Sequence, residues 1–277
     1  MKNLGRLLRN FAFSAGLLLT VVLVLCALLA PQLAPHDPVK PQGPRLEAPS
    51  DAHPLGLDEL GRDVLSRIVW GARVSLRVGF SVVVLASLVG VTLGAVSGYF
   101  GGAVDLVIMR LCDILLAFPG ILLAIALVAV LGPSLNNVIL ALAIIGWVGY
   151  ARLVRGQVLK VREMEFVTAA KALGAKSPRV IALHVLPNVI NPVIVMATLG
   201  LAGAILAEAA LSFLGLGVQP PTPSWGAMLT AGRRYLGLAN HLAIFPGAAI
   251  MLAVMGLNFL GDGLIDALDP KYRKLMR

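Results

Sequence analysis

Residues Glu165–Asn188 read EFVTAAKALGAKSPRVIALHVLPN, a polar, basic stretch between two long apolar runs. Its first part has the makings of one amphipathic helix over 163–176. Ala169, Ala170, Ala172 and Leu173 are strong helix formers. Phe166, Ala169, Ala170 and Leu173 stand at i, i+3, i+4 and i+7 and share one apolar face. Gly174 and then Pro178 are expected to end the helix. A short amphipathic helix of this kind can lie on lipid headgroups. Its face is rich in small residues, however, which anchor poorly in lipid but let a protein groove approach closely.

The surroundings explain why a polar segment stands out. The chain has 277 residues, of which 58% are hydrophobic and only 13% charged, with a mean hydropathy of +0.88. A soluble domain has about a quarter of its residues charged. Asn10–His36, Val78–Val104, Ile114–Ala151, Val180–Ala207 and Tyr235–Gly261 are long runs that carry no charge apart from Asn10–His36's terminal histidine and similar neutral-capable groups. A helix needs about 20 apolar residues to cross the hydrocarbon core, and Ile114–Ala151 holds two with the turn Gly132-Pro133-Ser134 between them. The expectation is an all-α integral membrane protein with six spans, roughly 11–31, 78–98, 114–131, 138–152, 189–212 and 242–262. The basic n-region Lys2, Arg6 and Arg9 precedes an apolar run too long for a cleaved signal, so the first span is expected to stay.

Charge sets the orientation. With the N-terminus inside, most of the 23 basic residues, including the cluster from Arg152 to Arg179, fall in the cytoplasm. Both termini are then cytoplasmic and 153–188 is a cytoplasmic loop. The net charge of +9 has the same cause, and no aromatic-interleaved basic patch points to nucleic acid. The chain divides at about 77 into an N-terminal span with its outer loop (1–77) and a transmembrane core (78–277). The first half of loop 32–77 is Pro-rich and expected to be extended, whereas Gly61–Arg77 has helical spacing and leads into span two.

Catalytic chemistry has no candidate. There is no GxxxxGK[ST] loop, and Gly174-Ala175-Lys176-Ser177 lacks the needed glycine. HExxH and GxSxG are absent. His36, His53, His184 and His241 show no metal-ligand spacing with a cysteine or carboxylate. Cys26 and Cys112 lie in or beside apolar segments and read as small buried hydrophobes.

Several residues inside the spans stand out. Glu208 is an acid deep in an apolar run, where a charge must face protein or water. With Ser212 it is either part of a translocation path or a hydrogen-bonded packing residue. Gly90, Gly94 and Gly98 form two GxxxG units for close helix packing. Pro119 is expected to kink span three, and Arg110 to pair with Asp113 at i+3. Asp262, Asp266 and Asp269 could be drawn as a cation site, but read better as cytoplasmic caps and partners of Lys271 and Arg273.

The segment 165–188 also resembles the EAA signature of ABC-importer permeases. Ala169-Ala170 stand three residues before Gly174, and Leu186-Pro187 follow at the family spacing. Thr168 and His184 depart from it, replacing Glu and Ile. The form EFVTAAKALGA…HVLPN is similar to that of the dipeptide/oligopeptide/nickel subfamily, as are HPLGLDELGRDVLSR (53–67), LSFLGLG (211–217) and LGDGLIDALDP (260–270). This resemblance implies a type I ABC-importer permease in a bacterial or archaeal cytoplasmic membrane, with a coupling helix between spans four and five. It implies a second, homologous permease, two ATP-binding subunits that hold ATP and Mg²⁺, and an outer solute-binding protein. Glu165, Phe166, Ala169, Ala170, Leu173, Gly174 and Pro187 would meet the ATPase. Arg62, Arg67, Trp225, Arg233 and Arg234 would dock the binding protein. The implied solutes are dipeptides and oligopeptides, with nickel and glutathione as alternatives. An ATP-independent transporter or channel is the reading of another class.

Overall fold

The computed structural model describes residues 11–268, which fold into helices joined by short connections and one long loop. Helix α1 (Phe11–Leu28) is apolar all round, as a span in lipid requires. A single turn, α2 (Ala30–Leu33), leads into the loop 34–63. Helix α3 (Val64–Phe100) starts where the Asp63 side chain accepts the Ser66 N–H, and stops at Gly101, whose φ of 67° no longer continues a helix. At 37 residues it is about 55 Å long, well over the hydrocarbon thickness. The expected amphipathic segment and span two are therefore one uninterrupted rod, and residue 77 lies inside it.

Span three departs from expectation. It is a pair of helices, α4 (Gly102–Leu116) and α5 (Gly120–Leu131), bent by 85° at the break before Gly120. Pro119 caps α5 rather than kinking one helix, because proline is tolerated at a helix start and disfavours helix in the residue before it. Helix α6 (Leu135–Val161) begins with Ser134 accepting the Asn137 N–H. Next come α7 (Glu165–Ala172) and α8 (Ser177–Val180). A wider π turn, Ile181–Val185, then leads into α9 (Leu186–Phe213). Pro178 sits in the first turn of α8 and so starts a helix instead of blocking one. Much of the expected loop, from Ser177 onward, thus belongs to the rod of span five. Helices α10 (Trp225–Arg233) and α11 (His241–Leu268) complete the order. Among the described residues, five helices are long and apolar enough to cross a membrane, or six with the bent pair counted as one span.

Packing ties these rods together. Helices α3 and α6 run along each other most extensively. A Cβ at Gly94 would meet the backbone of Ala151 and Val154 Cβ at 3.0 Å, and at Gly98 it would meet Val158 Cβ at 2.9 Å. The GxxxG face is therefore spent on a helix of the same chain. Helix α1 packs against α11, so the N-terminal segment is part of the bundle.

Candidate functional site

Helix α7 is two turns long, shorter than the expected 163–176. Glu165 in its first turn and Lys171 in its last both suit the helix dipole. Its C-terminus is a Schellman turn: the Gly174 N–H donates to the Lys171 carbonyl at 2.9 Å, and the Ala175 N–H to that of Ala170 at 3.1 Å. The turn needs a left-handed residue, and Gly174 has φ +81°.

The face that α7 buries differs from the one its pattern predicts. Val167 and Ala170 point inward, into a cluster with Val154, Val158, Val161, Val180 and Val185 from α6 and the start of the α9 rod. Phe166 and Leu173 are 41% and 89% exposed, and Glu165, Ala169, Gly174 and Pro187 are exposed too. Of the predicted apolar face only Ala170 is buried. The rest is presented outward by a helix whose opposite side is rooted in the bundle. Pro187, with no N–H, stands just after the π turn, where the Leu186 N–H reaches back five residues to the Ile181 carbonyl. That widening makes room for the proline ring.

Polar contacts brace the base of α7. The Asp105 carboxylate of α4 accepts a forked pair from Arg155 of α6, at 2.5 Å from Nε and 2.6 Å from Nη2, and also a bond from Ser97 Oγ. Arg162 Nη1 donates to the Gly98 carbonyl at 2.8 Å. Lys171 Nζ sits 5.0 Å from the Tyr99 ring centre. Asp113 pairs with Arg152 of α6 at 2.6 Å, not with Arg110 on its own helix. The i+3 geometry lost to a longer-range partner that points directly at the carboxylate. The expected pairing of Asp269 with Lys271 and Arg273 lies outside the described residues.

At the opposite end, three expected docking residues prove to be buried. Trp225 is 2% exposed, and its Nε1–H donates to the Ile68 carbonyl at 2.9 Å, pinning α10 to α3. Arg62 and Arg67 turn inward onto Asp58, at 2.7 and 3.3 Å, while Arg67 Nη1 donates to the Pro38 carbonyl. They hold the loop closed and are almost wholly buried. Arg233 and Arg234 are exposed, with Arg233 over the Phe213 ring at 5.1 Å. The histidines also depart from expectation. His36 and His53 come together around Asp63, although 17 and 10 residues separate neighbours in sequence. Asp37, next in the chain, accepts the Val39 and Lys40 N–H groups, which hold its carboxyl below the ordinary range.

Glu208 is fully buried between helices. Its Oε1 accepts from Ser212 Oγ at 2.7 Å, and Ser75 Oγ of α3 stands 3.5 Å from Oε2. It thus joins α9 to α3. A separate apolar cavity of about 350 Å³ is lined by small and aliphatic residues, including Val83, Gly146, Gly200, Ala204 and Ala207, and by Tyr150.

Against known proteins, residues 90–274 match the family described as binding-protein-dependent transport system inner membrane component. Residues 4–49 match the N-terminal transmembrane domain of oligopeptide transport permease C. The chain belongs to the binding-protein-dependent permease family. Its relatives include a dipeptide transport system permease of Alkalihalophilus pseudofirmus, 49% identical over 97% of this chain and 88% of that one. A di/tripeptide transport permease of Pseudomonas aeruginosa is 46% identical over 93% and 88% of the two chains. A glutathione transport permease of Pectobacterium atrosepticum is 45% identical over 97% and 90%. As a member of this permease family the chain is a multi-pass membrane transport subunit. Its family match contains α7 and its supports, while the buried arginine cluster lies between the two matched regions.

Proposed function

We propose that this permease subunit carries dipeptides and oligopeptides inward by alternating access, with partner ATP-binding subunits docking on α7 from the cytoplasm. One observation carries the reading: α7 is rooted by Val167 and Ala170 while Phe166, Ala169 and Leu173 stand outward. Exposed apolar side chains on a short, braced helix need a partner. A helix fixed to both α6 and the α9 rod transmits a push on its outer face to two spans at once.

In this scheme two ATP-binding subunits bind ATP and Mg²⁺, close on each other and shift the α7 levers of this chain and a second permease. The chain itself supplies no nucleotide chemistry. A solute-binding protein delivers the solute on the outer side, where the exposed Arg233 and Arg234 are the docking candidates left after Arg62, Arg67 and Trp225 are seen to be buried. Glu208 and Ser212 are proposed as a packing link between spans, and the small-residue cavity as part of the path wall. Both termini are cytoplasmic in this scheme, a placement supported by the basic residues around α7 and at the chain ends.

The peptide solute rests on the dipeptide and di/tripeptide permeases among the relatives. Glutathione is the second reading, favoured by the 45% identical glutathione permease. Proteoliposomes holding this chain, its second permease and both ATP-binding subunits, supplied with the binding protein, decide between them. ATP-dependent uptake of a labelled dipeptide over glutathione is expected. Uptake by this chain alone without ATP would instead place it among secondary transporters.

A further inference from the structure

The loop 34–63 brings two imidazoles to one buried carboxylate. His53 Nδ1 lies 3.1 Å from Asp63 Oδ1, and His36 Nδ1 lies 3.8 Å from Asp63 Oδ2. The two rings are 4.8 Å apart at their centres. Asp63 is fully buried, His53 11% exposed and His36 30% exposed at the side chain. Hydrogen bonding accounts for only part of this. Asp63 Oδ2 already accepts the Ser66 N–H at 2.8 Å and the Ser66 Oγ–H at 2.6 Å. Oδ1 takes His53. His36 Nδ1 is buried and has no hydrogen-bond partner. A buried ring nitrogen left unpaired beside a carboxylate is costly unless something else uses its lone pair.

We propose that His36, His53 and Asp63 bind one divalent metal ion, zinc by the chemistry of the set, which clips the loop 34–63 to the start of α3. The ligand atoms lie within 4.8 Å of one another. Zinc bonds of about 2.0–2.2 Å place tetrahedral ligand atoms about 3.3–3.5 Å apart, so small ring rotations close the site. Two imidazoles and one carboxylate are borderline donors that suit zinc better than calcium or magnesium, which prefer all-oxygen shells. A fourth position stays open on the exposed side of His36 for water.

The supports are those a metal site requires. Ser66 fixes Asp63 through two bonds, and its Oγ also accepts the His36 N–H at 3.0 Å, so one side chain orients two ligands. The α3 dipole opposes a cation at this end, and the Asp63 charge offsets it. The ion would take over the place of any proton that His53 now shares with Asp63. The clip is independent of which solute the permease carries.

The test uses the full chain in detergent with an affinity tag free of histidine. The protein is stripped with a chelator, dialysed against zinc chloride and assayed by elemental mass spectrometry. One zinc per chain is expected, weakened at least about tenfold by His36→Ala, His53→Gln or Asp63→Asn, and unchanged by His184→Ala. Zinc K-edge absorption of the unmutated protein should show two imidazole ligands, a readout that needs no variant to fold. Less than about one zinc in five chains, equal binding by His36→Ala, or a spectrum without imidazole overturns the proposal.

Discussion

Arg155 of α6 grips Asp105 of α4 through two parallel bonds of 2.5 and 2.6 Å, across 50 residues of sequence. The pair closes the same end of the bundle that carries α7. With Arg162 bound to the Gly98 carbonyl, it makes the α3–α4 corner and the end of α6 one unit. A lever needs such a fulcrum. Asp105→Asn removes the charge but keeps an oxygen for Ser97. The pair is partly exposed, so a loss of about 1 kcal/mol is expected after screening. Arg155→Lys should cost a similar amount because it loses the fork. Melting in detergent reads both, and unchanged midpoints in the two variants would remove the pair from the account.

The α3–α6 contact gives a sharper contrast between two glycines. A Cβ at Gly94 collides with Ala151, whereas at Gly156 it meets nothing within 4 Å. Gly94→Val should therefore force the helices apart and cost about 2 kcal/mol or more. Gly156→Ala should be neutral to mildly stabilising, since alanine favours helix over glycine by about 1 kcal/mol. Yield of monodisperse protein and thermal midpoint distinguish them. Equal behaviour would mean that these helices are not in close contact.

What the sequence made legible follows from range. Apolar runs are local patterns, and they place α1 and α9 to within about a turn, whereas α3 starts well before its expected span and α6 and α11 run past theirs. A proline signals an interruption and not its angle, so Pro119 does not reveal the 85° break before Gly120. The spacing of Phe166, Ala169, Ala170 and Leu173 suggests one apolar face, but periodicity does not say which side of a helix is buried in its own chain, and Ala170 alone of the four is. Here it is mostly turned out, and the neighbouring Val167 roots the helix. Asp113 with Arg152, and His36 with His53 and Asp63, were invisible because their spacing is set by the tertiary fold. The inward hydrogen bonds of Trp225 to Ile68 and of Arg67 to Pro38 are hidden for the same reason, since they join residues 157 and 29 positions apart.

The two faces of α7 predict opposite phenotypes. Leu173→Asp and Phe166→Asp change exposed residues, so the folded chain should keep its midpoint within about 0.5 kcal/mol. Val167→Asp buries a charge in the valine cluster and should cost several kcal/mol or prevent folding. Co-purification with the ATP-binding subunits should fall sharply for Leu173→Asp despite its normal fold. Intact association in that variant would detach α7 from energy coupling. Gly174→Val adds a strained left-handed residue, at about 1–2 kcal/mol, and should damage association as well by misdirecting the turn.

Glu208 separates packing from transport. It accepts from Ser212 within α9 and faces Ser75 across the helix boundary. Gln keeps the acceptor for Ser212 and offers an N–H to the Ser75 hydroxyl, so Glu208→Gln should leave the midpoint within about 1 kcal/mol and solute uptake near normal. Glu208→Ala removes the acceptor facing two buried hydroxyls and leaves a void between the helices, with an expected loss of about 2–4 kcal/mol. If Glu208→Gln instead lowered uptake severalfold with the fold intact, the negative charge itself would be acting on the solute. The residue would then belong to the path and not to the seam between α3 and α9.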